Sequence, residues 1–262
     1  FGFGGASESI IKLAKFLSDR NFSISLISVG KNVHKNYLKK IGCEVYELSV
    51  RRALFSIFKL RNLIKKDLNK KYFQTTLISN IHYANIIALI SCFGLKGIKI
   101  IFTERSSLHE LSINNNFFKF IKNKLIFYMA KNLYRHADLV IANSKYEKNY
   151  IRNKFNVKKI KYIYPPSILK VKTNYKTNRN YNNLKKIIYV GNLFKEKGPI
   201  TIVKAISKIK NDTKFILEIY GEGYEKKNIK DFIIQKKLSK KVFFRGFNKD
   251  KSKIFKNKDL FI

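Results

Sequence analysis

The chain has 262 residues, 45% of them hydrophobic, which supports a substantial core and excludes a wholly disordered protein. Its 55 Lys and Arg stand against 17 Asp and Glu, a net charge of +38 that suits a nucleic acid, an anionic membrane surface or a phosphorylated substrate. Lys, Asn, Ile, Tyr and Phe are abundant along the whole length, so much of this charge also reads as compositional bias without a specific partner.

FGFGGAS opens into the helix SESIIKLAKFLSDRN, where Ile10, Leu13, Ala14 and Leu17 share a face. Ser7 is placed to cap it, and Glu8 suits the positive end of its dipole. The strand SISLISVG ends at Gly30. Residues 51–68 read as a basic helix with Leu54, Ile57, Phe58, Arg61 and Leu63–Ile64 near one face. The stretch Leu77–Leu95 carries no charged residue and is long enough to raise a membrane span. Asn80, His82 and Asn85 interrupt it, and it splits into a strand and a short helix, so it reads as buried core. Strands at Thr76–Ser79 and Ile98–Phe102 precede the loop TERSSLHEL. Residues 117–135 form a second basic, aromatic helix, and the strand ADLVIANS leads to a helix through Ile151 and then to KIKYIYPPS.

Residues 170–186 are polar and read as a linker. Beyond them come a strand at Lys186–Val190, a helix at Pro199–Ile209, a strand at Lys214–Tyr220, GEG, a helix to Lys237, the strand KVFFRG, a short helix and DLFI. Pro199 sits where a first-turn proline is tolerated. Strands alternating with helices imply right-handed βαβ units around parallel sheets. The fold class is α/β, with domains at 1–169 and 187–262. In such sheets ligands bind beyond the carboxyl ends of the strands, which singles out FGFGGASES, TERSSLHEL, ANSKY, VGNLFKEKG and YGEGY.

Cys43 and Cys92 lie far apart in apolar surroundings and read as small buried side chains. The four histidines are dispersed and no metal-ligand spacing occurs, so a metal centre is not expected. Neither is a signal peptide, since no basic segment precedes an apolar one at Phe1.

The loops, taken in order, resemble those of the retaining, nucleotide-sugar-dependent glycosyltransferases of the GT-B fold, in the family 4 group. The stretches that carry the resemblance are GGASESIIKLAKFLSDRNFSISLISVG, TERSS, ADLVIANSKYEKNYI with YIYPPS, VGNLFKEKGPITIVKAI, YGEGYEKKNI, VFFRGF and DLFI. The resemblance implies two Rossmann-like domains facing across a cleft, the second incomplete here. The first presents the acceptor and the second holds a nucleoside-diphosphate (NDP) sugar, without a metal or other cofactor.

By the same resemblance Lys197 contacts the donor diphosphate and stabilises charge developing on it. On composition alone it is one more surface lysine. Asn192 stands where the family has Arg and lacks both charge and planar fork; Lys195 is one candidate to compensate. Gly221, Gly223 and Gly246 fall near the nucleotide, and Gly4 and Gly5 let backbone N–H groups approach a phosphate. The competing reading is a tight turn with positive φ at Gly221, Gly223 and Gly246, and an ordinary strand–helix turn at Gly4 and Gly5. Arg105 occupies the place of a family His and contacts donor phosphate or acceptor, or instead pairs with Glu104 or Glu110 in a surface loop. His82 and His109 read as structural, and Ser144 as a helix cap.

The family's Glu-x7-Glu pair, which contacts the donor sugar, falls beyond Ile262, and the first strand of the first domain is also missing, so the chain reads as truncated at both ends. The piece alone is expected to show no turnover. The function implied is transfer of a sugar, with retention, to a glycan or polyprenyl-linked acceptor in cell-surface polysaccharide or lipopolysaccharide synthesis. The location implied is cytoplasmic, with the basic aromatic helices resting on the anionic inner face of the membrane. For each helix the competing reading is a core-facing helix with a solvated basic face. The competing functions are a basic nucleic-acid-binding protein and a GT-B nucleotide-sugar epimerase.

Overall fold

The computed structural model describes residues 5–50, 52–68, 75–105, 107–108, 111, 117–164, 185–209, 214–248 and 250–262. The chain divides into two compact units, residues 1–171 and 172–262, and every strand pair in either is parallel. Parallel strands need a crossover between them, so the helices of each unit lie between its strands in sequence.

The first unit runs α1 (Gly5–Ser18), β1 (Ser25–Ser28), α2 (Lys35–Lys40), β2 (Glu44–Glu47) and α3 (Ser56–Leu63), then β3 (Thr75–Asn80), α4 (His82–Cys92), β4 (Ile98–Thr103), α5 (Phe117–Leu133), β5 (Leu139–Ala142), α6 (Lys145–Phe155) and β6 (Ile160–Tyr162). β1 and β2 form a two-stranded sheet, and β3-β4-β5-β6 a second sheet of four. The main core is centred on Phe102, Tyr134, Ile151 and Phe155. α6 shows how local sequence feeds that core. The Ser144 side chain caps it by accepting from the Glu147 N–H (3.1 Å), and Asn156 ends it in a left-handed conformation at φ 50°. Ile151 and Phe155, one turn apart, then point to the same side, where Phe155 meets Phe127 and Tyr134 edge-on.

The uncharged stretch Leu77–Leu95 is core, as its polar interruptions imply: α4 buries Ile86, Ile87, Ala88 and Cys92. No helix among the described residues is long and apolar enough to cross a membrane. Cys43 and Cys92 are both buried free thiols. Burial pushes the Cys92 thiol up to about 11, against a smaller opposing effect of Arg61. Of the apolar face read in the sequence around α3, Ile64 is buried and Ile57 and Leu63 pack against the core, whereas Leu54 and Phe58 are exposed and Ser56 and Leu60 take the inward positions. The sequence is apolar on both sides there, and packing against α4 decides which side is covered.

The second unit runs β7 (Lys185–Val190), α7 (Pro199–Ile206), β8 (Phe215–Tyr220), α8 (Lys226–Gln235), β9 (Val242–Gly246), α9 (Lys251–Phe255) and β10 (Leu260–Phe261), with sheet order β10-β7-β8-β9. Its core gathers Leu193, Val203, Leu217, Ile219 and Ile229. β8 is central and nearly buried throughout, as a parallel strand covered on both faces must be.

One charge lies inside this sheet. Glu218 on β8 is 5% exposed and is held by Arg245 (Nε to Oε1, 2.8 Å) and by Lys258 on its other oxygen. Burial raises its carboxyl, but the hydrogen bonds from Lys258 and Arg245 outweigh that and hold it below the ordinary carboxylate range. Replacing it removes the carboxylate that both cations share. Glu218→Ala is expected to cost about 1–3 kcal/mol of stability, read from urea midpoints, since the half-exposed Arg245 regains water. Because the folded value is depressed, the stabilisation is complete above the unfolded Glu value of about 4.3 and is lost as pH falls through the folded value. Glu218→Gln should remove that segment of the acid-stability curve.

Candidate functional site

In the second unit the loops after β7, β8 and β9 meet at the carboxyl edge of the sheet. Gly191 N–H donates to the Tyr220 carbonyl (3.0 Å), Leu193 N–H to that of Glu222 (2.9 Å) and Gly221 N–H to that of Gly246 (2.9 Å). A β-carbon at Gly221 would lie 1.9 Å from the Gly191 oxygen, and one at Gly223 would lie 2.4 Å from that of Leu193. These glycines are therefore required by the close passage of two backbones. Positive φ adds to the requirement at Gly221 (145°) and accounts for Gly246 (70°).

Beyond this seam the β7 loop makes a single 3₁₀ turn, Lys195–Lys197, and ends at Gly198 with φ 65°. Gly198 is also the N-cap of α7, with Pro199 in the first turn. Glycine offers no side-chain acceptor and Pro199 carries no N–H; the Thr201 N–H donates to the Gly198 carbonyl (3.0 Å), which leaves the Ile200 N–H at the helix start. Lys197 and Asn192 are both exposed, and the Lys197 ammonium has no partner among the described residues. The Asn192 carbonyl accepts from the Tyr189 hydroxyl (3.0 Å), which fixes the bend after the strand.

Tyr224, from the YGEGY loop, holds the lysine turn from the side. Its ring stacks on Phe194 at 5.0 Å and 8°. Its hydroxyl accepts from Lys195 N–H (3.1 Å) and donates to the Glu196 carboxylate (3.1 Å). Nothing in the spacing of the sequence announced this contact.

In the first unit, the loop after β4 is anchored by buried carboxylates. Glu104, 1% exposed, accepts from Asn85 Nδ2 (2.7 Å) and from the Tyr134 hydroxyl. Burial, then the Glu104 charge, pushes the Tyr134 hydroxyl well up, so it stays a donor. The other Glu104 oxygen faces His82 Nδ1 at 3.9 Å. Glu147, 2% exposed, accepts from Ser107 Oγ and Leu108 N–H, both at 2.9 Å. Its Ser-x-x-Glu spacing to Ser144 is a capping-box signal, but the Glu side chain reaches the β4 loop.

Arg105 is thereby corrected in one respect: its proposed partner Glu104 points into the core. Its Nε approaches Asn80 Oδ1 (3.4 Å), its carbonyl accepts from Asn143 Nδ2 (3.1 Å), and burial pushes its guanidinium down from the ordinary value. Ile81, beside Asn80, adopts φ 75°, a strained conformation for a β-branched residue that the Thr103 carbonyl helps to hold. Gly5 opens α1, and a β-carbon added there would meet nothing within 4 Å, so packing does not require a glycine. Gly4, His109, Glu110 and residues 170–184 lie outside the described residues.

A fold of two parallel α/β units with glycine-framed loops at the strand ends is that of the GT-B glycosyltransferases, and the comparisons agree. The sequence model described as Glycosyltransferase Family 4 matches residues 3–167, and that described as Glycosyl transferases group 1 matches residues 171–262. The chain belongs to this glycosyltransferase family. Among curated proteins it is 27% identical over 267 residues to the uncharacterized glycosyltransferase MJ1069 of Methanocaldococcus jannaschii, covering 93% of this chain and 66% of that protein. A second uncharacterized glycosyltransferase of that organism, MJ1059, is 22% identical, covering 60% of this chain and 44% of the other. The chain thus spans two thirds or less of these relatives. Among solved structures, Anabaena HepE in complex with UDP superposes with a TM-score of 0.72 at 19% identity, over 98% of this chain and 70% of HepE. The lipopolysaccharide outer core galactosyltransferase WaaB gives 0.68 at 13% identity, over 98% and 68%. The family match favours neither the nucleic-acid-binding nor the epimerase alternative.

The seam makes a sharp contrast between glycines. Gly221→Ala should destabilise the second unit by more than about 2 kcal/mol, whereas Gly5→Ala should stay within about 1 kcal/mol, both by thermal melts.

Proposed function

We propose that the protein belongs to a retaining transferase that moves a sugar from an NDP-sugar to a glycan or lipid-linked acceptor, in cell-surface polysaccharide or lipopolysaccharide synthesis. The observation that carries the donor reading is the exposed Lys197, without a partner among the described residues, directly ahead of Gly198, the N-cap of α7. Breaking the bond between sugar and diphosphate moves negative charge onto the leaving phosphate. An ammonium and a helix N-terminus beside it stabilise that charge most when it is fully developed, with no metal in the scheme. Asn192 supplies a neutral hydrogen bond, while Gly221, Gly223 and Gly246 let backbone approach the nucleotide. Gly4 and Gly5 would do the same in the first unit, where Arg105 meets acceptor or donor phosphate. Support comes from HepE, solved with UDP and with UDP-glucose, and from the galactosyltransferase WaaB.

Calorimetric titration with UDP tests the site. Lys197→Ala should weaken binding by about tenfold or more, the worth of a charge-assisted contact. Tyr224→Phe, which frees the turn but keeps the stack, should weaken it by about two- to tenfold. Unchanged affinity in Lys197→Ala would remove the donor reading.

The acceptor-side proposal adds a cytoplasmic, anionic membrane surface. α5 buries Ile126 and Ala130 yet exposes Phe118, Ile121, Leu125 and Tyr128 along one stripe, flanked by exposed Lys122, Lys124 and Lys131. The outer face is therefore aromatic as well as basic, which a merely solvated face does not need. Each Lys near an anionic surface contributes about 1 kcal/mol, and the apolar stripe suits the interface. Sedimentation with vesicles should show binding to phosphatidylglycerol but not phosphatidylcholine, and the double change Phe118→Ser, Leu125→Ser should reduce it. Equal binding to both lipids would refute this part.

A further inference from the structure

β3 turns into α4 through one strained residue. Ile81 adopts φ 75° and ψ 142°, a backbone state that a β-branched side chain rarely takes. Its N–H donates to the Thr103 carbonyl (2.9 Å), and its carbonyl accepts from the Asn85 N–H (3.0 Å). Strain of this kind persists only where the surroundings impose it, and it gathers at functional sites. Here both neighbours of Ile81 reach the β4 loop. Asn80 Oδ1 accepts from Thr103 Oγ1 (2.6 Å) and from Arg105 Nε (3.4 Å), while His82 Nδ1 faces Glu104 Oε2 at 3.9 Å. Three successive residues thus engage Thr103, Glu104 and Arg105. The two segments lie at the carboxyl ends of paired parallel strands, the edge at which such sheets bind ligands.

The hydrogen bonds to Glu104 from Asn85 Nδ2 and the Tyr134 hydroxyl both fall on Oε1. Oε2 and His82 Nδ1 are enclosed, and neither has a hydrogen-bond partner among the described residues. His82 is 7% exposed, with the Tyr83 ring beside it at 4.6 Å. A buried carboxylate oxygen without a donor is costly. With the imidazole hydrogen on Nε2, two lone pairs would face each other in a dry pocket. With it on Nδ1, a closure of about 1 Å makes a hydrogen bond to a charged acceptor.

We propose that His82 is a positioning residue for Arg105. Nδ1 carries the hydrogen and gives it to Glu104 Oε2, and this bond, together with Asn80, fixes the backbone from which Arg105 projects. The 3.4 Å contact with Asn80 is too long to hold a guanidinium alone, so the place of Arg105 depends on how firmly the preceding residue is held. The role rests for its purpose on the reading that Arg105 meets acceptor or donor phosphate, although the coupling of His82 to Arg105 does not.

Nitrogen NMR of the full 262-residue chain tests both ends of the coupling. His82 should carry hydrogen on Nδ1. Glu104→Gln keeps an acceptor for Asn85 and Tyr134 but offers an amide N–H to Nδ1, so the neutral imidazole should move its hydrogen to Nε2. His82→Phe should speed exchange of the Arg105 Nε–H by at least about tenfold, while the amides of β4 and β5 keep their protection. His82→Asn, whose amide can donate to Oε2, should restore most of the slowing. If His82→Phe does not fold, the tautomer and its inversion in Glu104→Gln decide. Nδ1 without hydrogen, a tautomer that Glu104→Gln leaves unchanged, Arg105 exchange that is the same in His82→Phe, or no rescue by Asn overturns the proposal. So does protection lost evenly across β4 and β5, the mark of a merely structural histidine. Titration with inorganic phosphate reads the ligand separately: an Arg105 signal that phosphate does not move removes the phosphate contact and leaves the coupling to His82 standing.

Discussion

After β7 and β8 the two backbones of the second unit pass so close that neither Gly221 nor Gly223 has room for a methyl group. That approach brings the β7 loop under the YGEGY loop, where Tyr224 can reach the lysine turn. The turn in turn ends at Gly198, whose left-handed conformation starts α7. A cationic side chain, a helix terminus and a stacked aromatic pair are thus set by a contact that involves no side chain. Loops placed this way owe their geometry to the strand spacing beneath them, and that spacing varies little in a parallel sheet.

Acid is scarce in this chain, and its placement matters more for that reason. Glu104, Glu147 and Glu218 are all nearly fully buried, three of only 17 carboxylate side chains. Each ties a loop or strand to its neighbours, Glu147 to the β4 loop and Glu218 to two cations across the sheet. Inside the protein a carboxylate is held by several donors, because an unpaired one is too costly to bury. The outside is left with even fewer negative groups, so the positive field of the surface is stronger than net charge alone conveys.

The alternation of strands and helices was legible from the sequence, because crossover helices and buried parallel strands leave distinct apolar periods. Pro199 marked the start of α7, and Ser144 that of α6, since helix starts depend on local chemistry. What could not be read depends on contacts distant in sequence. The apolar residues of α3 fall on two sides, and only α4 settles which is inside. The partner of Glu104 is Tyr134, thirty residues on, so a neighbouring Arg105 looked the more natural choice. The glycines of YGEGY were noticed, but their reason, a carbonyl from another strand's loop, has no signature in their own segment.

The two cysteines have a practical side. Both are buried, and with Cys92 raised to about 11 its thiol is almost entirely protonated near neutrality. A thiol that is neither ionised nor accessible reacts slowly with maleimides and disulfides. The natural chain therefore offers a quiet background, on which one introduced surface cysteine can report distance, environment or proximity without first removing the native pair.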